Sequence, residues 1–136
     1  MPRITEAALR RLEKAARAAA GRAYAPYSRF PVGAAVLGAS GRLYAACNVE
    51  NASFGLCNCA ERGAVFAAVA AGEKTVGAVA VYTPTPLPTA PCGACRQVIH
   101  EFGPDCLVIS VCDSKNRIET RLSALLPAAF GPGDLS

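Results

Sequence analysis

A chain of 136 residues and 14.0 kDa has room for one domain, residues 1–136, whose core can bury about two-thirds of the unfolded surface, so neither a metal nor a disulfide is needed merely to keep it folded. With 52% hydrophobic and only 18% charged residues, it carries fewer ionic side chains than the usual share of about 25%, which favours assembly into an oligomer. The net charge of +4 comes from scattered basic residues, so nucleic-acid binding gains no support, and the longest weakly polar run, Gly63 to Gly72, is about half a membrane span; no apolar leader follows Arg3, Arg10, Arg11 and Lys14, and the expectation is a soluble, cytoplasmic protein with no membrane partner.

From Thr5, a residue suited to capping a helix, Ala8, Leu9, Leu12, Ala15, Ala16 and Ala19 recur at helical spacing and predict an amphipathic first helix that ends before the Ala-Pro-Tyr-Ser stretch at 25–28. Pro31 to Leu37, the turn residues 38–41, and Leu43 to Val49 read as strand, turn and strand. Asn51 to Asn58 reads as a loop, and Cys59 to Ala71 as a helix buried on most sides with Gly72 as its C-cap. Val76 to Tyr82 is an apolar run of strand length. Prolines 84, 86, 88 and 91 keep the next segment from being helical until a helix can begin at Cys92 and run to about Phe102. After Gly103-Pro104 come a strand over 107–112, a turn, a short strand over 117–120 and a helical stretch over 122–126. This order predicts an α/β fold, a mixed five-stranded sheet between helices in a three-layer α/β/α sandwich.

Seven cysteines are an odd number without an export signal, so metal binding or buried thiols are the open readings instead of a disulfide framework. Cys59-Ala60-Glu61 opens one helix and Pro91-Cys92-Gly93-Ala94-Cys95 opens another, with one strand between them. In a helix-strand-helix unit both helix N-termini lie at the same edge of the sheet, and Cys92 and Cys95 share a helix face, so three sulfurs can converge. Helix N-termini favour thiolates, the form that binds zinc, and a tetrahedral zinc with three protein ligands keeps one position open for water. Glu61, two residues beyond a ligand, would stand beside the metal and handle protons. Three thiolates leave the site at a net charge of about −1, which calls for a positive neighbour, and Arg62 is the candidate. The alternative is a closed, non-catalytic site that adds Cys57 to the three. Cys47, Cys106 and Cys112 read as buried thiols on strands, and His100, alone and mid-helix, as a surface or packing residue.

These motifs match the zinc deaminase signature of a ligand, one residue and a Glu followed by Pro-Cys-x-x-Cys. Together with Asn48 to Ser53, Tyr24 to Gly33, Arg96-Gln97 and the terminal stretch Leu125 to Pro132, they closely resemble the small homotetrameric cytidine deaminases over nearly the whole chain. The resemblance implies hydrolytic deamination of cytidine and 2′-deoxycytidine to the uridines with release of ammonia, one Zn²⁺ per chain, a role in pyrimidine salvage, and a homotetramer whose sites neighbouring subunits complete. Glu61 would take a proton from water, pass it to N3 of the base and later move a second to the leaving amine. Asn48 and Glu50 would hold the ribose 3′-hydroxyl, where the bare residues equally suit a turn and a solvated face. Phe30 and Phe54 would line the nucleoside pocket, Ala60 and Ala52 would offer backbone groups to base and sugar, and Phe130 would close a neighbour's site; each aromatic taken alone reads more readily as core. A deaminase for another base is the rival within the family. The sequence departs from the family at Gly63, where relatives often carry a larger residue, and in the long loop Thr85 to Thr89.

Overall fold

The computed structural model describes residues 4–135. Helix α1 spans Glu6–Ala20, and the Thr5 hydroxyl caps it by accepting the Ala8 N–H at 3.1 Å. The remaining elements are β1 (Gly33–Gly38), β2 (Leu43–Cys47), α2 (Ala60–Ala70), β3 (Val76–Tyr82), α3 (Gly93–Phe102), β4 (Leu107–Val111), β5 (Ile118–Arg121) and the single-turn α4 (Leu122–Leu125). The strands form one mixed sheet in the order β2-β1-β3-β4-β5, in which β3 and β4 run parallel and the other neighbours antiparallel. The parallel pair is joined through α3, as a crossover requires.

Strand alternation divides the core into two layers. Ala34, Val36, Val79, Val81 and Val108 face Ala64, Val65 and Ala68 of α2 and Ile99 of α3. Ala35, Leu37, Ala78 and Ala80 face Leu12 and Ala16 of α1. This is the expected three-layer sandwich, and the small residues on both sides of the α1 layer let that helix lie close against the sheet.

Gly33 shows how close. A methyl group built on it would stand 1.9 Å from the Ala16 carbonyl oxygen and 2.6 Å from the Ala20 nitrogen, both rigid helix backbone. Gly33→Ala therefore has to push α1 off the sheet, and a loss of about 3 kcal/mol or more is expected in denaturant unfolding; a loss under about 0.5 kcal/mol would show that the helix yields freely.

Most boundaries shift by one or two residues from expectation, β1 beginning at Gly33 instead of Pro31 and β5 spanning Ile118–Arg121 instead of 117–120, and three of the shifts have local reasons. β2 stops at Cys47 instead of Val49 because Asn48 turns its side chain to the 30–32 segment, while Val49 forms isolated bridges to Tyr24 and Asn58. Ala71 caps α2, and Gly72 follows it at φ +102°, the left-handed position that glycine fills without strain. β4 ends at Val111, where the Cys112 thiol turns to the Asn116 carbonyl at 3.2 Å. The loop over 51–58 also contains a short 3₁₀ turn, Phe54–Leu56.

Candidate active site

The N-termini of α2 and α3 meet at one edge of the sheet. Cys59 caps α2 and Cys92 caps α3, where the Cys92 sulfur accepts the Cys95 N–H at 3.4 Å. The Sγ atoms of Cys59 and Cys92 are 3.9 Å apart, those of Cys92 and Cys95 3.3 Å, and all three lie within 4.8 Å of one another. A tetrahedral zinc with Zn–S distances of about 2.3 Å has S–S edges of about 3.8 Å, so this triangle fits that ion with little adjustment. Among the described residues this is the one cluster of three or more such groups able to hold a metal.

The electrostatics agree with the geometry. Hydrogen bonding from the Cys95 thiol and then from Arg62 outweighs burial and lowers Cys59 to about 5, while Cys95 is raised by the same contact with Cys59 and by burial. Arg62 Nη2 donates to the Cys59 sulfur at 3.4 Å, the compensating contact the sequence predicts. Its Nε is buried without a partner in the protein.

Cys57 stays outside the cluster. Its sulfur accepts the Asn51 N–H at 3.3 Å and faces the Asn51 carbonyl at 3.6 Å, so it stiffens the loop before α2 and does not close the site.

A cleft of about 420 Å³ opens beside the sulfurs and brings together Phe30, Asn48, Glu50, Cys59, Ala60, Glu61 and Cys92. Glu61, in the first turn of α2, is only 5% exposed, and burial raises its carboxyl above the usual range. The cleft also exposes Ser28, Val32, Val81, Thr83, Thr89 and Ala90, none of which the sequence marked as a site residue. Thr89 and Ala90 carried a signal, since they directly precede Pro91-Cys92. Ala52, Phe54 and Phe130 do not line this chain's cleft. Phe54 stacks edge-on against Tyr27 at 5.8 Å, and both Phe54 and Phe130 are exposed.

Glu50 and Asn48 build the mouth. One Glu50 oxygen accepts the N–H groups of Tyr27 and Ser28 at 3.0 and 3.1 Å, and the other accepts the Ser28 hydroxyl. Asn48 holds the far side of the same segment, with Oδ1 accepting the Val32 N–H at 2.9 Å and Nδ2 donating to the Phe30 carbonyl at 2.8 Å. Between them Arg29 is left-handed at φ +56°, a conformation costing roughly 1–2 kcal/mol that persists because both flanks are pinned. One Asn48 N–H and part of the Glu50 lone-pair capacity remain for a ligand.

The Ser28 hydroxyl, followed by the backbone donors of Ser28 and Tyr27, lowers the Glu50 carboxyl below its ordinary 4.5. A folded-state value below the unfolded one gives stability that is complete above about 4.5 and is lost as pH falls through the lowered folded value. Glu50→Gln is expected to be less stable than wild type at neutral pH and to lack this part of the acid dependence. Urea unfolding at neutral pH and near pH 4 measures both; identical acid dependence in the two proteins would remove the carboxylate from this role.

On the other wall, Arg96 Nε donates to the Pro91 carbonyl at 2.7 Å and Nη1 to the Leu125 carbonyl at 2.9 Å, fixing the approach to Cys92 against α4. Gln97 donates to the Phe130 carbonyl at 2.8 Å and anchors the terminal segment.

Residues 7–111 match the family described as the cytidine and deoxycytidylate deaminase zinc-binding region. The chain belongs to this deaminase family. It is 49% identical over 115 residues to a cytidine deaminase of Sporosarcina psychrophila, covering 84% of this chain and 85% of that one, and 47% identical over 115 residues to a cytidine deaminase of Halalkalibacterium halodurans, covering 84% and 87%. A crystal structure of cytidine deaminase from Burkholderia pseudomallei superposes with a TM-score of 0.86 at 48% identity, covering 93% of this chain and all of that one. The Mycobacterium tuberculosis cytidine deaminase gives 0.76 at 40% identity, with 90% and 97% covered. The family binds zinc, and in this deaminase Cys59, Cys92 and Cys95 form the cluster positioned to bind the metal ion.

Proposed function

We propose that this deaminase hydrolyses cytidine and 2′-deoxycytidine to uridine and 2′-deoxyuridine with release of ammonia, as a single domain working in cytoplasmic pyrimidine salvage. The observation that carries the reading is one cleft lined by Cys59 and Cys92 of the three-sulfur cluster, by the buried carboxyl of Glu61, and by the polar pair Asn48 and Glu50. Cys59, Cys92 and Cys95 would hold a zinc ion, which would supply Lewis acidity and lower the pKa of water. Glu61 takes a proton from the attacking water and delivers it to ring N3 as oxygen adds to C4. It then moves a second proton to the exocyclic amine while the C4–N bond breaks, so cytidine and water become uridine and ammonia. Burial favours the protonated carboxyl, which suits a group that must hold a proton between two steps. Arg62 draws charge from the thiolate at Cys59, Phe30 covers the base, the Ala60 backbone meets it, and Asn48 and Glu50 take the ribose hydroxyls.

Ala52, Phe54 and Phe130 serve in the assembly, a homotetramer in which Phe130 closes a neighbour's cleft. The chain exposes 7423 Å² against about 6,700 Å² for a compact monomer of its mass, and Leu56 and Phe54 are exposed at 70% and 72%; both favour surface covered by other copies. A native mass near one subunit would contradict this. No helix among the described residues is long and apolar enough to cross a membrane, and none of the seven cysteines is in a disulfide, which suits a reducing compartment.

The test is the ultraviolet change when zinc-loaded protein meets cytidine, with ammonia followed in parallel. Conversion to uridine is expected. No change in protein carrying one zinc per chain would overturn the substrate assignment and direct the search to other aminated bases.

A further inference from the structure

Thr83 directly follows β3 and lines the same cleft as Cys59, Glu61 and Cys92. It is 2% exposed, so it belongs to the buried end, whereas Ser28 and Phe30 at the mouth are open to solvent. Its neighbours fix the direction of its hydrogen bonding. The Thr85 hydroxyl lies 2.6 Å from the Leu87 carbonyl, an oxygen that only accepts, so the one Thr85 proton is committed there. The Thr83 and Thr85 hydroxyls are 2.8 Å apart, and Thr83 must be the donor. With its one proton committed to Thr85, Thr83 Oγ1 has lone pairs alone to offer. The relay has little freedom to reverse, because its loop is stiffened by Pro84, Pro86 and Pro88 and tied at both ends. The Thr85 N–H donates to the Thr83 carbonyl at 2.9 Å, the Asp113 N–H to the Thr85 carbonyl at 2.9 Å, and the Ser114 hydroxyl to the Pro86 carbonyl at 2.7 Å.

We propose that Thr83 is a specificity residue whose oxygen accepts a hydrogen bond from the exocyclic amino group of the substrate base and faces the oxo group of the product without a proton between them. This rests on the cytidine reading above. The donors of a cytosine nucleoside are its exocyclic N–H groups and its sugar hydroxyls. The sugar hydroxyls go to Asn48 and Glu50 at the mouth, which leaves the amine for the buried end. Deamination converts that donor to an acceptor, so two oxygens then meet lone pair to lone pair in a desolvated place. The site thereby holds substrate and releases product.

The experiment compares zinc-loaded wild type, Thr83→Val, Thr83→Ser and Thr85→Val by kcat/KM for cytidine and by competitive inhibition with uridine, with thermal melts to confirm folding. Thr83→Val is expected to lower kcat/KM for cytidine about tenfold while uridine inhibits more tightly, and Thr83→Ser to restore the wild-type ratio within about threefold. Thr85→Val, which frees the Thr83 proton to point into the cleft, is expected to tighten uridine inhibition with a smaller effect on cytidine; it stays decisive if Thr83→Val does not fold. Cytidine and uridine shifting by the same factor, or neither shifting, would overturn the proposal alone. A wild type inactive on cytidine would overturn the parent reading and this proposal with it.

Discussion

Glu61→Ala is expected to retain one zinc per chain and to lose about 10⁴-fold in kcat, since in the proposed reaction one carboxyl carries two proton transfers and such a group typically contributes 10²- to 10⁴-fold. The zinc should stay because Glu61 is outside the sulfur cluster, and Cys59, Cys92 and Cys95 reach their positions through the helix termini that carry them. Nor should the protein be weakened much, because a buried carboxyl raised above its usual range by burial is a burden on the fold. Metal analysis, a thermal melt and a cytidine assay on the same preparation separate these effects. Activity within tenfold of wild type would remove Glu61 from proton transfer; lost zinc would make it a ligand-supporting group.

Cys95→Ala is expected to abolish zinc retention and with it activity, beyond the 10- to 100-fold that losing a merely supporting group costs. Cys95 is fully buried and 3.3 Å from the Cys92 sulfur, so no solvent molecule easily replaces its thiolate. Cys57→Ala is the matched control, because that sulfur serves the Asn51 backbone. Zinc content after dialysis distinguishes them: the Cys57 variant should keep its metal. Zinc lost from the Cys57 variant and kept by the Cys95 variant would invert the assignment.

Much of this was legible from sequence because the decisive residues sit where local rules are strong. Cys59 and Cys92 occupy cap positions, and a helix-strand-helix order brings two cap positions to one sheet edge without knowledge of the register. The continuous apolar run over Val76 to Tyr82 likewise read as a strand of a helix-covered sheet, though which of its residues face which layer did not show until the helices were laid on it. What escaped the sequence depends on long-range packing. Gly33 reads as an ordinary strand residue until α1 is laid on it. Asn48 was expected to serve a sugar hydroxyl, yet most of its amide is engaged with the 30–32 segment, a contact no spacing rule announces. Thr83 lies past the end of a strand and before a run of prolines, where periodicity no longer says which way a side chain points. Ala52, Phe54 and Phe130 fall outside the single-chain cleft, and one chain's sequence carries no direct signal for what a neighbour would cover.

The two helix ends that supply the sulfurs flank β3, the central strand of the sheet. Once joined through a metal, Cys59 and the Cys92-Cys95 pair act as a clasp across three consecutive elements, and α2, β3 and α3 should open to solvent together or not at all. Amide hydrogen exchange would then report two cooperative units. Metal withdrawal should speed exchange throughout the clasped unit by a common factor while leaving the outer face of α1 and the β5 edge nearly unchanged, so that loading sets which parts of the molecule fluctuate as one.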